Sequence, residues 1–281
     1  MTGRFGFFVP LVAALVCAVA LPIMAAAPAA GSLPFAPGET LTYNVTWSVF
    51  PAGQVVAKLK QLGSGPEDDY EIDTTARSTG FVSLLFKIDN HYHAIFDPRT
   101  LCSRRITKTI NEGRRHKQTN IVFDSAQRVA ILNERDMGKP GLPLKHTENA
   151  IPPCVEDILT SFYYLRRAPM HVGEQIRVPV NDGSKTHEVL VDVEAREDLQ
   201  TPVGDREAFR VEPHALGDLY KKKGRLLIWF SDDRERLPLR IKAIMLIGTI
   251  TGSLESVTHD NSPKQSSPHA AIETAPQAPP G

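Results

Sequence analysis

Residues 224–254 read GRLLIWFSDDRERLPLRIKAIMLIGTITGSL, and this stretch sets the pattern for most of the chain. An apolar run ends in the polar turn SDDRER, and a second run begins at Pro238. In the second run apolar residues alternate with Arg240 and Lys242, and a period of two is typical of a strand with one buried face. The stretch therefore predicts a strand, a turn and a second strand.

The same alternation recurs upstream, most clearly over residues 41–49, where bulky apolar side chains alternate with Thr, Asn and Ser. Similar segments follow as far as Pro213, separated by turns rich in Gly, Pro and Asp. Strands of this length and spacing predict one all-β domain. We expect an antiparallel curved sheet, either barrel-like or a half-barrel, comparable to lipocalin or lipoprotein-carrier folds.

Three segments depart from this pattern. Residues 81–86 fit a short helix better than a strand, and residues 138–152 contain several prolines and glycines that predict a loop. Residues 155–167 predict the one main helix, since acidic residues come first, arginines come last, and apolar residues recur at spacings of three and four. Asp157 is interpreted as a first-turn charge, and the alternative is that its carboxylate ties the helix to a neighbouring strand.

The two ends of the chain differ from its middle. Residues 1–27 have a basic start, an apolar run and an Ala-rich end, which predict a cleaved secretory signal peptide, with a retained membrane anchor as the alternative. Residues 28–36 predict a short leader, residues 37–257 the single β-rich domain, and residues 258–281 a disordered tail. We therefore expect a periplasmic protein without a stable membrane span after cleavage.

The charge and the motifs exclude several classes of function. Lys and Arg together number 32, as do Asp and Glu, and this balance argues against a nucleic-acid partner. Basic clusters at residues 114–117 and 221–225 are interpreted as solvated turns, with anionic lipid headgroups or a partner protein as the alternative. Local motifs for nucleophilic, metal or phosphate chemistry are missing. We predict no catalytic residue and no cofactor, and a binding or structural role is favoured over an enzyme.

Three small groups of residues are candidates for chemical sites. His91 and His93 share one strand face, but a metal site needs a third ligand that the sequence does not name, so no metal is predicted. The acidic turn at residues 232–235 is better explained by turn formation than by catalysis. Cys102 and Cys154 remain after signal cleavage, and export permits a disulfide between them, with two buried free thiols as the alternative.

Several short motifs follow one another in a distinctive order over residues 34–257. They are Pro37-Gly38-Glu39, Ala52-Gly53, residues 157–166 (DILTSFYYLR), Gly173, Thr201-Pro202, Trp229, Ser231-Asp232-Asp233 and Pro238. This order resembles the bacterial exported proteins grouped as domain of unknown function 3108. The resemblance implies an extracytoplasmic β-rich protein of a Gram-negative-type envelope, and it brings no catalytic residue with it.

Aromatic residues on the apolar faces are the best candidates for a ligand site. Plain core packing is the simpler interpretation, and the alternative is that some of them line a cavity, because larger barrels can enclose a ligand. The strand from Leu101 places Arg104 and Lys108 on the same face as Ile106, where these cations can meet an anionic headgroup at a cavity mouth or reach solvent. The candidate ligand-binding residues are Tyr43, Trp47, Phe81, Phe86, Arg104, Phe162 and Trp229.

The leading hypothesis is binding of an apolar or amphipathic envelope ligand, such as a lipid, a lipidated chain or another envelope component. A structural protein of envelope assembly with a filled core is the second hypothesis. An envelope enzyme is the third. The sequence makes no prediction about the oligomeric state.

Overall fold

The structure is a computed structural model, and it describes residues 33–65, 67–215, 224–246 and 248–260. The predicted signal peptide, most of the predicted tail and Lys221–Lys223 of the second basic cluster lie outside the described residues. The end of the predicted leader belongs to the fold, because Phe35 is buried with its ring 4.8 Å from that of Tyr163. None of the described helices is long and apolar enough to cross a membrane.

The described strands form one antiparallel sheet, as the alternation predicts. They are β1 (Glu39–Trp47), β2 (Phe50–Gln61), β3 (Tyr70–Ser78), β4 (Asp89–Phe96), β5 (Ser103–Glu112), β6 (Arg115–Asp124), β7 (Val129–Asp136), β8 (Lys145–Ala150), β9 (Gln175–Asn181), β10 (Thr186–Leu199), β11 (Arg206–Ala215), β12 (Arg225–Ser231), β13 (Pro238–Met245) and β14 (Gly248–His259). Two helices accompany them, α1 (Gly80–Leu85) and α2 (Thr160–Arg167).

Neighbouring strands in the sheet are consecutive in the chain, except that the first and last strands pair with each other in the middle of the sheet. Its order is β8-β7-β6-β5-β4-β3-β2-β1-β14-β13-β12-β11-β10-β9, so β1 pairs with β14 and the edges are β8 and β9. Side chains connect these two edges: Asn181 Nδ2 donates to Asn149 Oδ1 at 2.7 Å, and Asn149 Nδ2 donates to the Gly183 carbonyl at 2.9 Å. The described strands β8 and β9 are therefore joined by side chains rather than by a backbone ladder, and the sheet curls into a barrel-like shape.

Helix α2 lies inside this curl. The Tyr163 ring is 5.8 Å from Phe96 of β4, whereas Leu165 packs in a cluster with Val178 of β9 and Ile228 of β12. An eight-residue helix can contact strands so far apart in the sheet only if the sheet wraps around it. Of the apolar face that the sequence predicts for this helix, Leu165 is buried and Phe162 is partly buried, whereas Ile158 precedes the helix and is 49% exposed.

The two ends of the barrel differ. At one end, which we call the closed end, the chain before β1 and the segment leading into α2 cover the interior, and the disulfide Cys102–Cys154 joins that segment to the start of β5. At the other end, which we call the open end, lie the β1–β2, β3–β4, β5–β6, β7–β8 and β13–β14 connections. The tip of the β9–β10 connection instead lies in the interior, where Gly183 is buried against Ile121 and Leu132. Helix α1 belongs to the open end and has no buried residue.

Two sequence predictions about elements are wrong. Residues 138–152 are not all loop, because residues 145–150 form β8 on the ladder of β7. The main helix begins at Thr160 rather than at residue 155, because the Glu156 backbone pairs with β9 instead: its N–H donates to the Pro179 carbonyl and its carbonyl accepts from the Asn181 N–H, both at 2.9 Å. Non-local pairing overrides the local helical pattern in this segment.

Candidate ligand cavity

An apolar cavity of about 290 Å³ lies between α2 and the inner face of the sheet. Bulky and small residues face each other across neighbouring strands here: Leu41 is opposite Ala57, and Ile241 is opposite Gly252. Because one residue of each pair is small, a space remains that larger side chains would fill in a close-packed core. Its lining includes Leu41, Tyr43, Val45, Val55, Ala57, Ile72, Thr74, Leu159, Phe162, Tyr163, Pro238, Ile241, Ala243, Ile250 and Gly252. We call this the central cavity.

Two further apolar spaces adjoin the central cavity. The first, about 470 Å³, shares Val45, Val55 and Ile250 with it and extends to the open end, where α1 contributes Val82 and Leu85 to its wall. We call it the outer cavity. The second, about 180 Å³, lies on the other side of Phe162 against Ile158, Leu165, Val178, Val180, Val189, Leu226 and Ile228. Together the spaces have the size and apolar character of small-molecule sites.

Two residues in the wall of the central cavity, Thr74 and Tyr163, have a buried hydroxyl without a hydrogen-bond partner among the described residues. Thr74 is buried, and its Oγ1 forms no hydrogen bond with any described residue. A buried hydroxyl without a partner costs about 1–3 kcal/mol, so a polar atom of a bound molecule would be stabilised there. The Tyr43 hydroxyl, by contrast, donates to the Pro238 carbonyl at 2.9 Å, and burial raises its pKa above the ordinary tyrosine value.

A polar pocket of about 340 Å³ lies beside the central cavity on the inner face. Tyr92 of this pocket is directly opposite Thr74 in the β3–β4 ladder, so the two sites share one face of adjacent strands. Lys117 pairs with Glu134 at 2.6 Å, whereas Lys108 forms no ion pair or hydrogen bond within the described chain. Burial lowers the pKa of Lys108 below the ordinary lysine value. Lys108 therefore presents a buried amine without a direct carboxylate partner, while Asp157, Asp182 and Glu134 act on it from a longer distance.

Four of the predicted ligand-binding residues line these cavities. Tyr43 and Phe162 line the central cavity, and Trp47 and Phe86 line the outer one. Phe162 separates the central cavity from the smallest space, because it lies in the wall of both. Phe81 lies on α1 at the open end, where 65% of its surface is exposed.

The structure places Arg104 and Trp229 outside the cavities, and it corrects the predicted position of each. Arg104 is the extra residue of a bulge where β5 meets β4, and its guanidinium pairs with Asp97 at 3.2 Å instead of sharing the face of Ile106. Trp229 is directly opposite Arg210 and Arg240, so it faces away from α2. Its indole N–H donates to Glu197 at 2.6 Å, and we assign it a structural role.

The groups weighed for metal or acid–base chemistry are held by other contacts. Ligand atoms of Glu71, Asp73 and His93 lie within 4.8 Å of one another, but Lys60 Nζ lies 2.6 Å from Asp73 and 3.7 Å from Glu71 and offsets part of their charge. His91 instead lies 3.2 Å from Asp89. In the acidic turn, Asp233 accepts hydrogen bonds from the backbone N–H groups of Glu235 and Arg236, as a turn-forming residue does.

Asp157 ties the start of α2 to β5, as the alternative interpretation of this residue proposed. Its carboxylate accepts from Ser103 Oγ at 2.7 Å and from Thr160 Oγ1 at 2.7 Å, and it also accepts from the backbone N–H of Leu159. These bonds satisfy free N–H groups at the helix start. The helix that forms the floor of the cavity is thereby fixed in position.

Sequence reasoning missed Thr74, Glu39 and Arg166, whereas the alternation along β5 does indicate Lys108 as a cation among apolar residues. Thr74 lies in an alternating strand segment, and no local signal separates a residue that faces a cavity from one that faces a neighbour. Glu39 and Arg166 enter the sequence analysis only as parts of motifs. The position of Arg166 near the end of an apolar helix could have indicated a buried cation. In the structure Glu39 and Arg166 form a buried ion pair beneath the cavity, with their side chains 2.6 Å apart.

The fold and the cavities define a barrel-like β protein whose interior is partly filled by one helix. The sequence model of the family described as "Protein of unknown function (DUF3108)" matches residues 42–255. The chain belongs to this family, as its motifs indicate. No curated protein sequence matches it.

Comparison with solved structures agrees with the fold. A β-barrel-like protein of the domain of unknown function DUF1849 from Brucella abortus is 8% identical, and the alignment covers 79% of this chain and 98% of that chain at a TM-score of 0.55. A Bacteroides fragilis protein with a YmcC-like fold, provisionally described as exported, is 11% identical and is covered over 98% of its length, with 80% of this chain aligned, at a TM-score of 0.37. The first likeness supports the barrel-like fold and nothing about function.

Proposed function

We propose that this protein binds an amphipathic molecule, a lipid or a lipidated chain, in the interior of the barrel. The observation that carries the proposal is the adjacency of the apolar cavities to the Lys108 pocket on one inner face. An acyl chain would occupy the apolar spaces, the Thr74 hydroxyl would meet a polar atom such as an ester oxygen, and Lys108 would face an anionic group.

We place this activity in the periplasm. Two observations support that location: the signal-peptide pattern of residues 1–27 and the disulfide between Cys102 and Cys154. Disulfides persist in oxidising compartments and are rare in the cytosol.

The structural protein with a filled core is the weaker alternative. α2 fills part of the interior, but the inner face retains small residues such as Ala57 and Gly252 opposite bulky ones, which a filled core would not need. For an enzyme, the groups weighed above are engaged in turns and ion pairs. Binding is therefore the function that we propose.

The direct test is native mass spectrometry of the protein purified from the envelope. We expect a bound species that organic solvent releases and that carries both an acyl chain and an acidic group. A protein that is always free of ligand, and that also fails to bind a fluorescent fatty acid, would exclude the proposal.

A matched pair of variants locates the site. Gly252 lines the central cavity, and a Cβ built there meets nothing within 4 Å, so Gly252→Phe should place its ring in the cavity and displace the ligand. Ser253→Phe adds the same ring to the opposite face of β14 and should leave binding unchanged. Equal loss in both variants would show that the central cavity is not the site.

A further inference from the structure

Exposed large apolar residues concentrate at one end of the barrel. Within the described ranges, nearly all of them lie at the open end; the exceptions are Leu62 and Val172 at the closed end, and Ile158 and Ile250 in cavity walls. Those at the open end are Trp47, Val49, Phe50, Phe81, Leu84, Leu85, Phe86, Met137, Leu142, Leu144, Met245 and Leu246. Clustered exposure of this kind marks an interaction surface, whereas scattered single residues do not.

Helix α1 is the centre of this surface. Its sequence GFVSLL contains no buried residue, and 85% of Leu84 is exposed. The turns on either side continue the surface: Val49 and Phe50 come from the β1–β2 connection, and Leu246 comes from the β13–β14 connection. These connections join neighbouring strands, so the apolar residues form one continuous edge around the outer cavity.

Cations accompany these apolar residues. The described connections at the open end carry Lys87, Arg114 and Lys139, all exposed, and none of the residues described in these connections is a carboxylate. None of these three cations forms an ion pair with a described residue, so their charge is available to a partner.

The closed end has the opposite charge. Its described connections have more carboxylates than cations: Glu67, Asp68, Asp69, Asp97, Asp157, Glu174, Asp205, Asp232, Asp233 and Glu235 stand against Arg99, Arg128, Arg166, Arg167, Arg234 and Arg236. Burial raises the pKa of Glu156 to about 8, so this carboxyl adds little charge at neutral pH. The chain has a net charge of zero, but the charge is divided between the ends of the barrel. A negatively charged surface would therefore attract the open end and repel the closed end.

We propose that the open end docks on a lipid bilayer that contains anionic phospholipid. The apolar residues of α1 and of the two turns would enter the interfacial layer, and the three cations would lie at the level of the headgroups. The outer cavity would then face the bilayer, so an acyl chain could pass between membrane and barrel without crossing water. Docking deepens the proposed function by naming where the ligand is exchanged, but it rests on separate observations.

The test is co-flotation with vesicles of phosphatidylcholine, with and without phosphatidylglycerol. The protein is produced from residue 28 onward, which removes the predicted signal peptide and keeps every described residue. We expect binding to the anionic vesicles, weakened by salt, and little binding to the neutral ones. Absence of binding to anionic vesicles would overturn the proposal.

Matched variants locate the docking surface. Phe81→Ser with Leu84→Ser should lower vesicle affinity about tenfold or more, since it removes two apolar side chains that would be buried in lipid. Leu62→Ser with Val172→Ser makes the same change in exposed residues at the closed end and should have no effect. Lys87→Glu with Arg114→Glu should abolish the preference for phosphatidylglycerol. Thermal unfolding should confirm that all variants fold, and equal loss in the closed-end control would contradict the proposal.

Two outcomes separate docking from the proposed function. Gly252→Phe should still float with anionic vesicles, because it changes only the central cavity, so docking can hold even if ligand binding fails. If the open end instead mediates self-association, light scattering will show a dimer that Phe81→Ser with Leu84→Ser converts to a monomer, and the wild type will not bind vesicles. That result would replace the bilayer with a second copy of the chain and overturn the proposal.

Discussion

Arg166 of α2 and Glu39 of β1 form a bidentate ion pair that is almost completely buried, with N···O distances of 2.6 and 2.7 Å. Arg166 also donates to the carbonyls of Pro34 and Glu235 and lies 5.2 Å from the centres of the Phe35 and Tyr163 rings. Burial alone would lower the pKa of Arg166, but the Glu39 carboxylate raises it above the ordinary value. One guanidinium thus links the chain before β1, the central helix and the β12–β13 turn.

Removing one member of this pair should strongly destabilise the fold. Arg166→Met leaves the Glu39 carboxylate buried and unpaired, and we expect a loss of about 3–5 kcal/mol in the free energy of unfolding. Arg166→Met combined with Glu39→Gln should lose less than the sum of the single changes, since no buried charge remains. Denaturant unfolding measures all three variants, and additive losses would mean that the two side chains do not interact.

Glu156 should make stability depend on pH. Burial raises its pKa from 4.5 to about 8, so between these values the folded protein holds a proton that the unfolded chain has released. The free energy of unfolding should therefore fall as pH rises through this window, by at most about 1.4 kcal/mol per pH unit. Glu156→Gln cannot ionise and should flatten this slope. If the free energy of unfolding depends on pH in the same way in wild type and variant, then the pKa of Glu156 is the same in the folded and unfolded chain, and the prediction is wrong.

The disulfide should stabilise the closed end. It joins residues 52 apart in sequence, and constraint of the unfolded chain over that distance corresponds to roughly 4 kcal/mol. Cys102→Ala with Cys154→Ala should therefore lower the Tm markedly. Reductant should bring the wild type to the same Tm and leave the variant unchanged, which separates loss of the bond from changes in packing.

Lys108 should select for an anionic group on the ligand. Lys108→Met keeps the length of the side chain and removes the charge, and we expect about tenfold to a hundredfold weaker binding of a fluorescent fatty acid. A long-chain alcohol of equal length should bind wild type and variant alike. Equal weakening of both probes would indicate a change in the shape of the pocket rather than the loss of a charge contact.

Trp229 should matter for folding but not for ligand binding. Trp229→Ala removes a buried ring that faces away from α2, and we expect a loss of about 3–5 kcal/mol in stability with fatty-acid affinity unchanged under folded conditions. Phe162→Ala, by contrast, merges two spaces and should change affinity or chain-length preference. A ligand defect in folded Trp229→Ala would contradict the outward position of this residue.

Much of the architecture follows from local sequence pattern. Alternation in residues 41–49 and 239–245 predicts β1 and β13, and the apolar cluster of residues 81–86 predicts α1. The motifs from Pro37 to Pro238 identify the family. These predictions succeed because side-chain periodicity and turn residues act over only a few positions along the chain.

The sequence alone therefore determined the fold class, the family and four residues that line the cavities. Only the tertiary structure decided that residues 145–150 pair with β7, that Glu156 pairs with β9, and that Trp229 faces outward. It also decided that Thr74 and Lys108 lack partners and that the three cations lie at the open end. Each of these features depends on which distant strand lies alongside. Strand pairing and the curvature of the sheet bring together residues that are far apart in sequence, and no local pattern indicates such contacts.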